Sequence, residues 1–244
     1  MKSSRIKTVL SLAVVAMACF ALTPATQAAT IDVSDPLVPA GLGEGDTFHL
    51  AFVTKTATNA SIDPPVAPWD DLATFDAIVQ TEANTAGIGT SIGVTWKVIG
   101  SSATVNANAH AVVTAPVFTV VGNALATGYA DMWDGSIANA LTHIDGTPLT
   151  SATSRWALSW TGSMGDGTAS DNPFGDTDRC VSMGNSNMNG EWIRRASNYN
   201  QDFSNGCAIY GLSEALTVVP EPATMSLLAL GGLGVLLKRR RRRS

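Results

Sequence analysis

The chain has 244 residues, 45% of them hydrophobic and 14% charged, and a formal net charge of −5. Nine of its 15 basic residues sit in the two ends (Lys2, Arg5, Lys7 and Lys238 to Arg243), and all 20 acids lie between them, so the stretch from Thr30 to Glu221 keeps six basic residues and a net charge of −14. A body so acidic repels nucleic acid and anionic membranes, and nucleic acid is excluded as a partner. It suits plain solubility, or a matrix holding divalent cations or cationic polymer.

Residues 1–29 read as a secretory signal peptide, with a basic n-region and an apolar h-region from Val9 to Leu22; a transmembrane anchor is the alternative, and the small-residue exit Thr26-Gln27-Ala28-Ala29 argues against it. The secretion translocon is therefore an expected partner. Residues 30–218 form one exported body, long enough for a sizeable core.

Thr30 to Gly45 reads as a lead-in with Pro36, Pro39 and three glycines. Thr47 to Thr54 is a largely apolar central strand. A loop with three prolines follows, then the clearest helix of the body. Asp70 and Asp71 favour its N-terminus by capping and by the helix dipole. Leu72, Phe75, Ile78, Val79 and Ala86 recur at helical spacing, and Gly87 is a natural stop.

Val94 to Ile99 and Ala115 to Val121 read as strands, with Ser101 to His110 between them as loop or short helix. Ala130 to Gly135 is a turn packed by Trp133. Arg155 to Gly162 is a strand ending in a glycine turn. Ser163 to Gly206 is polar and rich in Gly, Asn and Asp, which reads as one long irregular loop, functional or poorly ordered. Cys207 to Leu212 and Leu216 to Val219 close the body as strands.

Cys180 and Cys207 are the two cysteines left once the signal peptide is gone. An even count in an exported chain reads as one disulfide. A closed loop of about 28 residues would add roughly 3–4 kcal/mol on the chain-entropy account. Asp166, Asp171, Asp176 and Asp178 crowd one loop and offer oxygen ligands suited to calcium, though not at EF-hand spacing; a solvated acidic loop is the alternative. Trp192 and Tyr199 lie in the same polar region, where an aromatic face can stack on a sugar, or anchor the loop.

His49 reads as a packed core residue, and His110 and His143 lack metal-ligand spacing. Gly89-Thr90-Ser91-Ile92-Gly93 matches a nucleophile elbow, but it falls between helix and strand, the reverse of the order an elbow needs. No phosphate loop, dinucleotide fingerprint or catalytic dyad stands out, and the body is expected not to be an enzyme. The alternative is a secreted polysaccharide-acting hydrolase, whose two carboxylates need no fixed sequence spacing.

Residues 219–244 are of a different kind. Val219, Pro220, Glu221 and Pro222 precede a 15-residue uncharged run from Ala223 to Leu237, and then Lys238, Arg239, Arg240, Arg241, Arg242 and Arg243. The prolines keep the segment extended and accessible. The run is short for a spanning helix of roughly 17–25 residues, but the basic end can snorkel and stay cytoplasmic. Gly231, Gly232 and Gly234 make it a weak helix, as suits a temporary anchor; a permanent single-span anchor is the alternative.

In that order the tail resembles the PEP-CTERM sorting signal of bacteria with an outer membrane, a label shared with a C-terminal domain of ice-binding proteins. No regular Thr-x-Thr array accompanies it here. The resemblance implies recognition by an exosortase-type membrane transpeptidase and cleavage near Pro-Glu-Pro. The route implied runs through an inner-membrane intermediate to the cell surface or extracellular matrix, with a structural or glycan-binding role in exopolysaccharide or biofilm.

The body is expected to be α+β. The order strand, helix, Val94-Thr95-Trp96-Lys97, Trp160-Thr161-Gly162, a long loop region with Trp192 and a closing cysteine resembles a C-type-lectin-like or endostatin-like domain. That resemblance implies a long, disulfide-stapled loop region. It does not carry a calcium-and-sugar site, because Asp171-Asn172-Pro173 stands where Glu-Pro-Asn would and no Trp-Asn-Asp follows.

Overall fold

The structure, a computed structural model, describes residues 29–55, 71–88, 93–149, 158–175, 180–185, 189–200 and 207–221. Within them ten strands join in one sheet accompanied by three helices, an α+β architecture. The strands are β1 (Ala29–Asp32), β2 (Thr47–Val53), β3 (Trp96–Val98), β4 (Val117–Thr119), β5 (Ala124–Ala126), β6 (Leu158–Trp160), β7 (Cys180–Asn185), β8 (Ala196–Asn200), β9 (Ala208–Ser213) and β10 (Leu216–Val219). The helices are α1 (Leu72–Thr85), α2 (Ala107–His110) and α3 (Tyr129–Met132).

The last two strands organise the sheet. Both run antiparallel to β2 along one edge of it, with Ala51 opposite Leu212 and Phe48 opposite Leu216. Three steps along β2 thus answer four along the partner, so β9 and β10 form one strand broken by a bulge at Glu214 and Ala215. On the far edge of that strand lie, end to end, β6 beside Ala208 and Ile209, β3 beside Gly211 to Ser213, and β1 beside Leu216 to Val219. β4 takes the other edge of β2 and carries β5, while β6 leads on to β7 and β8.

Every β2 residue but Thr47 is buried, and its alternation feeds two cores. Phe48, Leu50 and Phe52 point to one face with Phe75, Val79, Trp96, Trp160 and Phe174. Ala51 and Val53 point to the other with Leu125, Met132, Trp133, Trp192 and Tyr210. A strand buried on both faces reads as a near-continuous apolar run, interrupted here by His49.

α1 covers the first face. The Asp71 side chain caps it by accepting from the Ala73 N–H, and it ends where Gly87 turns to φ +77°. Its buried residues are Leu72, Phe75, Val79 and Ala83. Ala83, not Ala86, completes the face, since Ala86 has already left the helix as its C-cap. Two polar side chains of α1 also serve the free edge of β3. Gln80 accepts from the Trp96 N–H at 2.9 Å and Asp76 from the Val98 N–H at 2.7 Å. The helix thereby satisfies backbone donors that would otherwise face water as a sheet edge.

Two expectations need correction. The lead-in begins with a strand, β1. The expected irregular region from Ser163 to Gly206 contains β7 and β8, paired through Cys180 opposite Asn200 and Val181 opposite Tyr199. Gly184 is what allows β7 to pass: a Cβ there would meet the Trp192 carbonyl oxygen at 1.8 Å and the Ile193 Cα at 2.9 Å. The obstacle is backbone, not a movable side chain. Gly184→Ala should therefore cost about 3 kcal/mol or more, read as a lower midpoint in denaturant unfolding. An unchanged midpoint would mean that β7 does not run so close to residues 192–193.

Candidate functional site

Of the residues expected to bind sugar or metal, the described ones do not form a shared site. Trp192 is fully buried between Trp133 at 6.1 Å and Tyr210 at 5.9 Å between ring centroids, and its carbonyl accepts from the Tyr210 hydroxyl at 2.7 Å. No face of its ring is open to a ligand, so it is an anchor of the second core and not a glycan platform. The Tyr199 side chain lies outside the described residues.

Asp176 and Asp178 also lie outside the described residues, and Asp171 is exposed. The Asp166 carboxylate accepts from the Thr168 hydroxyl and N–H, which holds its pKa below the usual carboxylate range. Among the described residues no three or more His, Cys, Asp or Glu side chains come together as a metal site would need.

The expected Cys180–Cys207 disulfide does not fit the strand register. Trp160 of β6 faces Met183 on one side and Ile209 on the other. Cys207 lies toward one end of β6. Cys180 lies toward the other, because β7 runs antiparallel to β6. At about 3.3 Å per residue and about 4.8 Å per strand spacing, their Cα atoms are on the order of 15–20 Å apart. A disulfide tolerates roughly 7 Å. Cys207 is buried at the start of β9.

The bulge between β9 and β10 opens a cleft instead. It has a volume of about 680 Å³, within the usual range for small-molecule sites. Its floor is His49, Leu212 and Ser213, with Glu214 and Ala215 of the bulge at the side. Thr95, Lys97, His110, Ala111, Val112 and Thr114 complete its wall.

His49 shapes the floor. Its Nδ1–H donates to the Ser213 carbonyl at 2.9 Å, and its Nε2 accepts from the Thr114 N–H at 3.0 Å. That acceptor role fixes the neutral tautomer. Burial pushes its pKa below the ordinary 6.5, against the opposing pull of the Ser213 and Glu214 backbone. Glu214 stays at the rim, accepting from the Thr95 N–H at 2.8 Å. Lys97 makes no ion pair among the described residues.

At the same wall His110 Nε2 meets Asp76 Oδ1 at 2.9 Å, joining α2 to α1. These two residues are 34 apart in sequence, and no motif announces them. The Nε2 contact leaves Nδ1 as the ring's other hydrogen-bonding atom. In chemical terms the cleft offers an ammonium, a carboxylate, two threonine hydroxyls and an oriented imidazole around a partly apolar floor.

The second candidate is the tail. β10 holds Val219 in the sheet, Pro220 and Glu221 follow it out, and the run from Ala223 to Leu237 with its basic end lies outside the described residues. Among the described residues no helix is long and apolar enough to cross a membrane.

Residues 218–243 match the PEP-CTERM protein-sorting motif family, a stretch that starts at Val218 inside β10. No curated protein matches the chain. The chain therefore carries a PEP-CTERM sorting signal, which marks export, processing by an exosortase-type enzyme, and a cell-surface or extracellular destination.

Two outcomes follow from this geometry. Trp192→Ala should cost about 3–5 kcal/mol of stability, as a buried aromatic does, where an exposed stacking residue would cost almost none. Stability should also fall as pH drops below about 6.5, by at most about 1.4 kcal/mol per unit from this group, because the unfolded chain protonates His49 while the folded one resists. His49→Asn should be less stable at neutral pH and lose that share of the slope, as read from unfolding curves between pH 5 and 7.5, values chosen to bracket the histidine range.

Proposed function

We propose that the body is a non-enzymatic module displayed at the cell surface or in the extracellular matrix, where it binds or builds exopolysaccharide within a biofilm. The observation that carries this is the continuity of address and body: the sorting motif begins at Val218, within the strand that closes the sheet. We place the sugar contact in the cleft beside the bulge. Lys97 and the Thr95 and Thr114 hydroxyls can donate to sugar oxygens, Glu214 can accept, and Ala111, Val112 and Ala215 can cover a C–H face. A lectin-like character of the body belongs to this same proposal.

One observation favours a second reading, a polysaccharide hydrolase. An imidazole oriented by a carboxylate beside a cleft is the arrangement of a general base, and His110 with Asp76 supplies it.

The test is retention of the purified body on the exopolysaccharide of its own cells, with reducing ends assayed in the same tube. Retention should be clear, and Lys97→Ala or Glu214→Gln should weaken it about tenfold, the loss expected for one hydrogen bond to a charged group. The assay is run with and without calcium, since Asp166, Asp171, Asp176 and Asp178 crowd one stretch of the sequence. Reducing ends that vanish in Asp76→Asn and His110→Ala would give the hydrolase reading the case. No retention and no release would remove both.

A further inference from the structure

The sorting motif does not hang from the body on a free linker. β10 has neighbours on both edges: β2 through Thr47 and Phe48, and β1 through all four pairs from Ala29 opposite Leu216 to Asp32 opposite Val219. Its last two residues are fully engaged. The Val218 N–H donates to Asp46 at 2.9 Å, the Val218 carbonyl accepts from Gly45 at 2.9 Å, and the Val219 carbonyl accepts from Val33 at 2.9 Å. Val218 is 1% exposed and belongs to the first core.

Beyond Val219 only Pro220, Glu221 and Pro222 precede the apolar run. Three residues reach about 10 Å when extended. Enzymes that act on a peptide commonly grip it as an extended strand, with main-chain bonds on either side of the bond they attack. On the N-terminal side of this motif the main chain is already bonded to β1 and its flanking loop. The cover itself, β1, starts at Ala29, beside the expected signal-peptide cut, so the first residues of the exported body clamp its last ones.

We infer that the folded body restrains its own sorting motif: removal of the tail waits on the end of β10 fraying from β1 and from residues 45–46, and the body as well as the tail sets the processing rate. This rests on the tail being processed at all. It makes Val33, Gly45 and Asp46, none of them in the motif, determinants of how fast the motif is used.

The experiment follows the full chain by pulse-chase in its own cells, reading the processed fraction by mass. Three chains are compared: the unaltered protein, one with about eight Gly and Ser residues inserted between Val219 and Pro220 as a flexible spacer, and Val33→Pro, which deletes the N–H that holds the Val219 carbonyl. The spacer lies outside the sheet and leaves the body's own unfolding midpoint unchanged, so it does not depend on a variant that disturbs folding. If the competent, frayed state is about a tenth of the population, the spacer should speed tail removal about tenfold. Val33→Pro should speed it in the same direction by less.

Equal rates for all three, with the unaltered tail being removed, overturn the restraint and leave the sorting account standing. So does slower removal in the spacer chain. A tail kept through Ser244 in all three overturns the sorting account, and this inference with it.

Discussion

Residues 208–219 are the constraint on which the rest of this molecule depends. They form one bulged strand with β2 along one edge and β6, β3 and β1 ranged along the other. Among the described residues β1 and β3 pair with no other strand, so without it they would lose their place in the sheet, while β2 would keep β4. Pairings such as Phe52 with Gly211, or Ala29 with Leu216, join segments far apart in sequence. Such non-local contacts form late and slowly, since the loop-closure cost comes before the burial that offsets it. In chain order this strand is also the last of the body, immediately ahead of the tail.

The bulge in that strand links architecture to the cleft. An extra residue against β2 pushes Glu214 and Ala215 out of regular pairing, and His49 fills the space beneath with both ring nitrogens bonded to backbone. Asp76 works at two places at once, closing the Val98 N–H at the edge of β3 and orienting His110 at the cleft wall. One carboxylate therefore ties the fold of α1 against the sheet to the electrostatics of the site. The surrounding acidity sharpens the contrast: on a body carrying −14, the Lys97 ammonium is one of six basic residues.

What the sequence made legible was strongly periodic or carried a specific order of parts. Leu72, Phe75 and Val79 with Asp71 as cap made α1 plain, and the apolar run from Phe48 to Val53 made β2 plain. The tail was readable because Pro-Glu-Pro, an apolar run and a basic end occur in one order at one terminus. β7 and β8 were not, because Ser182, Gly184, Asn185, Asn198 and Asn200 carry little strand preference; tertiary pairing holds them where intrinsic tendency would not. β1 is not legible, since four residues before a run of Pro and Gly give no period to read. Trp192 looked like a loop aromatic because its neighbours are polar, yet the Gly184 close approach carries it into the core. An even count of cysteines suggests a pair, but count says nothing of register. His110 and Asp76 meet only through the packing of α2 against α1, which no spacing rule encodes.

Address and body thus meet in one strand, and the most direct measurement is the intact mass and location of the native protein in its own cells. The account predicts a chain that starts near Ala29 or Thr30 and ends near Glu221 or Pro222, found at the cell surface or in the matrix fraction. A mass that retains Ser244, with the protein held in the membrane, would contradict it and leave a tail-anchored protein whose body faces outward from the inner membrane.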